Sequence, residues 1–339
     1  MSPEPVILEK SQRIATLTFN RPEVHNAMNV DMAAGLERAL DDLEADREVR
    51  ALILTGAGER SFVSGADINE MRKRTPLTAV ESSIYRQGLF DRLEGLPFPS
   101  IAALNGYTFG IGSEIALACT FRIASAKAKL GQLEINIGII PGAGGTQRLP
   151  RLIGLPNALD LMTAGKPIKA EKGWSCGLID EVVPPDKLID AARAAAEKFK
   201  KRQLNIKTRM ASRRYDRLPS ASEKKNLIAY VKSQLAKKAG GYIAPWKIVE
   251  AVEKGLSMDF QADIEREAKL FCECLTSDIA KYLISIFLNQ RAAGRLPRIK
   301  GIEPAKIKKV GMLGGGVMGS GIVHLLMANG FETVLWEIN

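Results

Sequence analysis

The sequence predicts an α/β protein: a strand–helix core, then a mostly helical segment, then a short strand–turn–helix–strand unit. Three observations predict it. Short apolar or β-branched runs alternate with stretches of helical spacing over residues 1–190. Strand signals fade after Pro184–Pro185. Near the end, a glycine-rich turn separates an apolar run from an apolar helix.

The elements follow in order. Arg13–Phe19 alternates and is rich in β-branched residues, so it reads as a strand. Asn29 is a helix N-cap, followed by Met32, Leu36, Leu40 and Leu43 at helical spacing. Val49–Leu54 is a strand that ends at Gly56 and Gly58, Leu77–Leu93 is a helix, and Ser100–Leu104 is a strand running into a glycine turn. The apolar run Ile115–Cys119 reads as a buried helix. Beyond the proline pair, Leu188–Lys201 is alanine-rich and amphipathic. Ser222–Arg295 continues as helices, with Leu227, Val231 and Leu235, then Phe260, Ile264 and Ala268, as core stripes. The reading is therefore a core at 1–190, a helical segment at 191–295, a basic, proline-containing linker at 296–308, and a terminal unit at 309–339.

Composition narrows the function. A chain of 339 residues has room for two domains. Its net charge of +10 is spread along the chain, with one denser stretch at Lys198–Arg217, and favours anionic partners. Aromatics are only 6% and no nucleic-acid motif appears, which argues for an anionic small molecule rather than stacked bases. Cys119, Cys176, Cys272 and Cys274 have no metal or redox spacing, and His25 and His324 do not cluster, so no metal site is read. The N-terminus lacks the charged and apolar regions of a signal peptide, and no apolar run reaches the length of a membrane span. The expected location is cytoplasmic, or peroxisomal in a eukaryotic cell.

The densest chemistry lies in Asn105–Arg151. Glu114 and Glu134 stand there in apolar, glycine-punctuated surroundings. Carboxylates are seldom buried unless paired or functional, and two in one pocket can divide acid and base duties. Spacing alone leaves an alternative open: Glu114 as a complement to a helix dipole, Glu134 on a solvated loop.

Three runs carry a resemblance. Phe19–Met28 (FNRPEVHNAM), Arg60–Met71 (RSFVSGADINEM) and the PGAGGTQRLPR run ending at Arg151 resemble signatures of the enoyl-CoA hydratase/isomerase (crotonase) superfamily. The resemblance implies a crotonase-type β-β-α spiral. It also implies hydration of trans-2-enoyl-CoA to 3-hydroxyacyl-CoA in fatty-acid β-oxidation, without a cofactor and with acyl-CoA as partner. It casts Glu114 and Glu134 as the catalytic carboxylates. The N–H groups of Ala66 and Ile111 become the oxyanion hole, the Gly142 N–H a holder of the reacting water, and Ser64 a neighbour of the CoA adenine. Four positions depart from the family pattern. Ile111 replaces a glycine, where a positive φ would strain it and its side chain would narrow the acyl space. Leu133 replaces a frequent proline. Asn69 and Glu23 replace basic residues, which weakens the expected contacts to CoA phosphates. The competing readings are a Δ3-Δ2-enoyl-CoA isomerase and a non-catalytic acyl-CoA-binding module.

A second feature closes the chain. Lys309–Leu313 reads as a strand, Gly314, Gly316 and Gly319 form G-x-G-x-x-G, Ile322–Asn329 is an apolar helix, and Glu332–Trp336 is a strand ending at Glu337. This is the opening of a Rossmann unit, incomplete within this chain, in which the glycines admit a pyrophosphate and Glu337 accepts from a ribose. The order of parts resembles the multifunctional β-oxidation proteins. That resemblance implies a longer parent with an NAD-dependent 3-hydroxyacyl-CoA dehydrogenase, whose His–Glu pair has no counterpart here. It also points to a monomer, and to thiolase or self-association as partners of the parent.

Overall fold

The computed structural model describes residues 4–201, 206–257, 259–293, 302–303 and 305–338. Most of the linker read at 296–308 lies outside the described residues. The chain divides into two compact units, Met1–Leu288 and Asn289–Asn339.

The larger unit begins with β1 (Val6–Ser11), β2 (Ile14–Phe19), α1 (Val30–Ala45), β3 (Ala51–Gly56), β4 (Ser61–Val63), α2 (Ile68–Met71) and α3 (Pro76–Gly95). It continues through β5 (Ser100–Leu104), β6 (Tyr107–Phe109), α4 (Ile111–Ala118), β7 (Phe121–Ser125), β8 (Lys129–Gly131), α5 (Gly145–Ile153) and α6 (Leu155–Ala164). Then come β9 (Ile168–Lys169), α7 (Ala170–Cys176), β10 (Glu181–Val183), α8 (Leu188–Lys200), α9 (Ala221–Lys238), α10 (Ala244–Lys254), α11 (Phe260–Leu275) and α12 (Asp278–Ala293).

Two sheets result. One runs β1-β2-β3-β5-β7-β10, the other β4-β6-β8-β9. Among the described residues of this unit the β1–β2 and β8–β9 pairs are antiparallel and the other pairs parallel. Successive turns of chain give one strand to each sheet: β3 then β4, β5 then β6, β7 then β8. This is the β-β-α spiral that the resemblance implies. The run Ala51–Leu54 is apolar throughout because both faces of its sheet are covered. Leu52 and Leu54 belong to the main core, and Ala51 and Ile53 to a second cluster capped by Leu188, Ala192 and Ala196 of α8.

Local signals explain the boundaries. Asn29 caps α1 by accepting from the Met32 N–H at 2.9 Å, and Met32, Leu36, Leu40 and Leu43 are all buried. Helix α4 starts at Ile111, so Glu114 lies inside its first turn rather than ahead of it. The helical segment packs within the larger unit, α11 lying against α3, α5 and α10. In its stripes Ile264 and Ala268 are fully buried, whereas Leu227, Val231 and Leu235 are partly covered and line a surface groove.

The smaller unit contains parallel strands β11 (Lys309–Leu313) and β12 (Glu332–Trp336) around α13 (Val317–Ala328), which starts a turn earlier than its periodicity suggests. Among the described residues no helix is long and apolar enough to cross a membrane.

Candidate active site

Strand β6 enters α4 through Gly110, whose backbone (φ 52°, ψ −121°) suits glycine. This corrects the strain anticipated at Ile111. The positive φ falls on Gly110, Ile111 is an ordinary helical residue, and its side chain is buried in the core. The Ile111 N–H is one of the first-turn amides that no helical carbonyl can satisfy. Ala66 forms a single parallel bridge with Met28. The Met28 N–H donates to the Gly65 carbonyl, and the Asp67 N–H to the Met28 carbonyl, both at 2.9 Å. That pattern turns the N–H of Ala66 itself away from the bridge.

Glu114 is buried on α4. Its Oε1 accepts from the Ala143 N–H at 2.7 Å and the Gly145 N–H at 2.8 Å. Glu134 opens the 3-10 turn Glu134–Ile137, and its carboxyl reaches back beside Gly110, where a Cβ would stand 2.8 Å from Oε1. With its amide nitrogen facing Glu134, Gln132 donates to the two carboxylate oxygens at 3.0 and 3.2 Å. A third carboxylate, Glu267 of α11, accepts from Gly144 and Thr146 N–H groups at 2.6 and 2.8 Å.

Burial and crowding shift these groups. Desolvation raises Glu114 well above the usual carboxylate range; the charges of Glu267 and Glu134 raise it further, and the two amide donors work against that. Glu134 keeps part of its surface, but desolvation of its carboxyl, helped by Glu267, pushes it up to about 8. Both shifts run toward the protonated form, and each carboxylate's charge opposes ionisation of its neighbour.

The remaining sequence-derived residues fall nearby with different partners. Gly142 lies against the Phe271 ring, and its carbonyl accepts from the Ser83 hydroxyl and from Gln87 at 3.3 Å. The amides that reach Glu114 are those of its neighbours. Ser64 donates its N–H to the His25 carbonyl at 3.2 Å and is partly exposed. The PGAGGTQRLPR run proves to be largely a clamp. Arg148, fully buried, pairs with Asp91 at 2.5 Å and Glu94 at 3.0 Å, while Arg151 pairs with Asp263 at 3.4 Å.

In the smaller unit, Gly314 (φ 89°) makes the tight turn, and a Cβ on Gly319 would stand 1.9 Å from the Gly314 carbonyl oxygen. Nothing lies within 4 Å of a Cβ at Gly316, and the Glu337 carboxylate accepts from the Gly315 N–H. A tight turn, an open middle glycine and a close helix–strand approach fit a pyrophosphate cradle.

A family model described as enoyl-CoA hydratase/isomerase matches residues 9–241. The chain belongs to that family. A glyoxysomal fatty acid β-oxidation multifunctional protein from Brassica napus is 37% identical over 331 residues, covering 96% of this chain and 45% of the relative. A short-chain-enoyl-CoA hydratase from Clostridium acetobutylicum is 36% identical over 286 residues, covering 84% of this chain and 95% of its own. The crystal structure of an enoyl-CoA hydratase from Bacillus anthracis superposes with a TM-score of 0.57 at 30% identity, over 74% of this chain and 90% of that one. The chain thus spans about half the length of the multifunctional relatives it matches and nearly all of the simple hydratase.

For a crotonase-family chain, three polar residues in this site were missed in the sequence: Gln87, Gln132 and Glu267. Glu267 left one trace, an acid three residues after Ile264 on a stripe that is otherwise core. Gln87 and Gln132 left none, since a buried glutamine reads like any surface one.

Proposed function

We propose that this chain hydrates trans-2-enoyl-CoA thioesters, with Glu114 as base and Glu134 as acid. The observation that carries this is the buried, electrostatically linked pair of carboxylates, one beside and one within the first turn of α4. The two N–H bonds to Glu114 Oε1 favour its ionised form against desolvation, and in that form Oε2 is the oxygen free to take a proton from water. The hydroxide formed adds to Cβ, and the double-bond electrons move toward the thioester oxygen. Glu134, still protonated through neutral pH, delivers its proton to Cα. The N–H groups of Ala66 and Ile111 stabilise charge on the thioester oxygen, and that of Gly142 helps to hold the water.

A cleft of about 310 Å³ near Met71 is lined by Arg72, Arg74 and Lys281. It supplies positive charge for CoA phosphates where Asn69 and Glu23 do not, and Ser64 lies toward the adenine in this reading. Retention of both acids favours hydration over isomerisation, which can manage with one.

The parent carries a 3-hydroxyacyl-CoA dehydrogenase in this reading. Gly314, Gly316 and Gly319 would cradle an NAD pyrophosphate, with Glu337 toward the ribose. NAD, when bound, accepts hydride. The compartment is cytoplasmic in a bacterial source and peroxisomal in a eukaryotic one. Loss of the 2-enoyl absorbance of crotonyl-CoA on adding the purified chain tests the hydratase. No loss with wild type, or full turnover by either glutamine variant of the pair, refutes it.

A further inference from the structure

The turn Ala143–Thr146 offers four successive amides, and two carboxylates take them alternately. The Ala143 and Gly145 N–H groups go to Glu114, and those of Gly144 and Thr146 go to Glu267. Glu267 also accepts from the Thr146 hydroxyl at 2.5 Å and from Gln87 Nε2 at 3.3 Å, and it is fully buried. Every one of these partners offers it a hydrogen, an arrangement suited to a carboxylate and poorly suited to an amide or an acid. Removing a charge from water is costly, and an apolar side chain would fill this site at less cost if packing were all it served.

We propose that Glu267 is a positioning residue for hydration, gripping one face of the Ala143–Thr146 turn so that the other face holds Glu114 in place. It rests on the hydratase reading above. Gln87 extends the grip, since it also donates to the Gly142 and Ile264 carbonyls at 3.3 and 2.8 Å. The helical segment therefore reaches the chemistry through a side chain 153 positions beyond Glu114 (267 − 114).

The charge of Glu267 acts as well. Burial raises the Glu267 carboxyl itself and the four hydrogens donated to it work against that; in its ionised form it opposes ionisation of both Glu114 and Glu134. The other charged groups on the elements around it are mostly paired with one another: Arg148 of α5 with Asp91 and Glu94 of α3, Arg151 with Asp263, Arg266 with Asp263, and Lys247 of α10 with Glu250 and Glu273. Arg86 of α3 is the buried cation whose field reaches Glu114.

The test compares the full chain with Glu267→Gln and Glu267→Asp. Glu267→Gln puts an amide N–H against backbone N–H donors and removes the charge. Its kcat should fall roughly 10- to 100-fold, the scale of a small misplacement of a catalytic group, with KM within about threefold. The alkaline limb of its pH–rate profile should move to lower pH, because the acid loses its proton more readily. Glu267→Asp keeps the charge and shortens the reach, so kcat should fall while the limb stays put. Hydrogen exchange at Ala143–Thr146 should quicken by about tenfold or more in both. A folded Glu267→Gln protein with an unmoved limb and unchanged exchange would overturn the proposal. Should that variant not fold, unchanged kcat and exchange in Glu267→Asp would overturn it. The exchange measurement is independent of turnover. If it quickens while wild type itself fails to hydrate crotonyl-CoA, the grip stands and the hydratase reading falls.

Discussion

The turn at Gly110–Glu114 and the turn at Gly314–Gly319 share a sequence logic: a strand ends, glycines bend the chain, a helix starts and a carboxylate stands close by. Their surroundings differ. Around Glu114 the neighbouring residues are buried, the Ala143–Thr146 amides are all engaged, and desolvation moves the acid far from its solution behaviour. Around Gly316 a Cβ would meet nothing. The difference teaches that a glycine turn with an acid is only a template. Chemistry appears when packing removes water from the acid and leaves its partners fixed.

Breaking the packed turn from outside should have the largest effect. Arg148→Ala strands Glu94 and Asp91 without their buried cation and should cost about 3–5 kcal/mol in denaturant unfolding. A loss below about 1 kcal/mol would mean that this ion cluster does not clamp the turn. Changing the acids should spare the fold and stop the chemistry: Glu114→Gln and Glu134→Gln should each lower kcat by roughly 10²-fold or more, read from crotonyl-CoA turnover.

The pH profile sharpens the contrast. Glu134 keeps its proton up to about 8. The rate should therefore fall above that value, approaching tenfold per pH unit, and fall also on the acid side, where Glu114, raised by burial and its acidic neighbours, takes a proton. An acid in a solvated turn would instead lose its proton near ~4.3, and an alkaline limb there would show Glu134 to be solvated. Ile111→Val trims one methylene beside the helix start. It should cost about 0.5–1.5 kcal/mol in stability and leave kcat within about threefold, since the donor is backbone and the strained φ belongs to Gly110. The smallest effect is expected in the open turn, where Gly316→Ala should change the stability of its unit by no more than about 0.5 kcal/mol.

Many elements of the larger unit were legible because their signals are local, whereas their winding into a spiral was implied only by the resemblance. Asn29, the leucine spacing of α1 and the apolar run Ala51–Leu54 each point to their element without reference to distant residues. The two acids were visible as candidates, and the resemblance gave them roles. Gln87, Gln132 and Glu267 were not visible. Glu267 meets Gly144 across a sequence separation of 123, and nothing near it in the chain announces that contact. PGAGGTQRLPR was read as a family signature with Gly142 near the reacting water, whereas its buried arginines form the ion pairs that clamp it.

By itself the sequence determined the α/β class and, through its motifs, the family, and it marked two candidate acids, because each is written in periodicity, turn residues or short motifs. Only the tertiary structure decided that the helical segment closes on the Ala143–Thr146 turn, that Gly110 rather than Ile111 bears the unusual backbone, and that a third buried carboxylate, Glu267, takes amides of the same turn as Glu114. Those outcomes depend on desolvation and on hydrogen bonds between residues far apart in the chain, and neither is a property of any local run of residues.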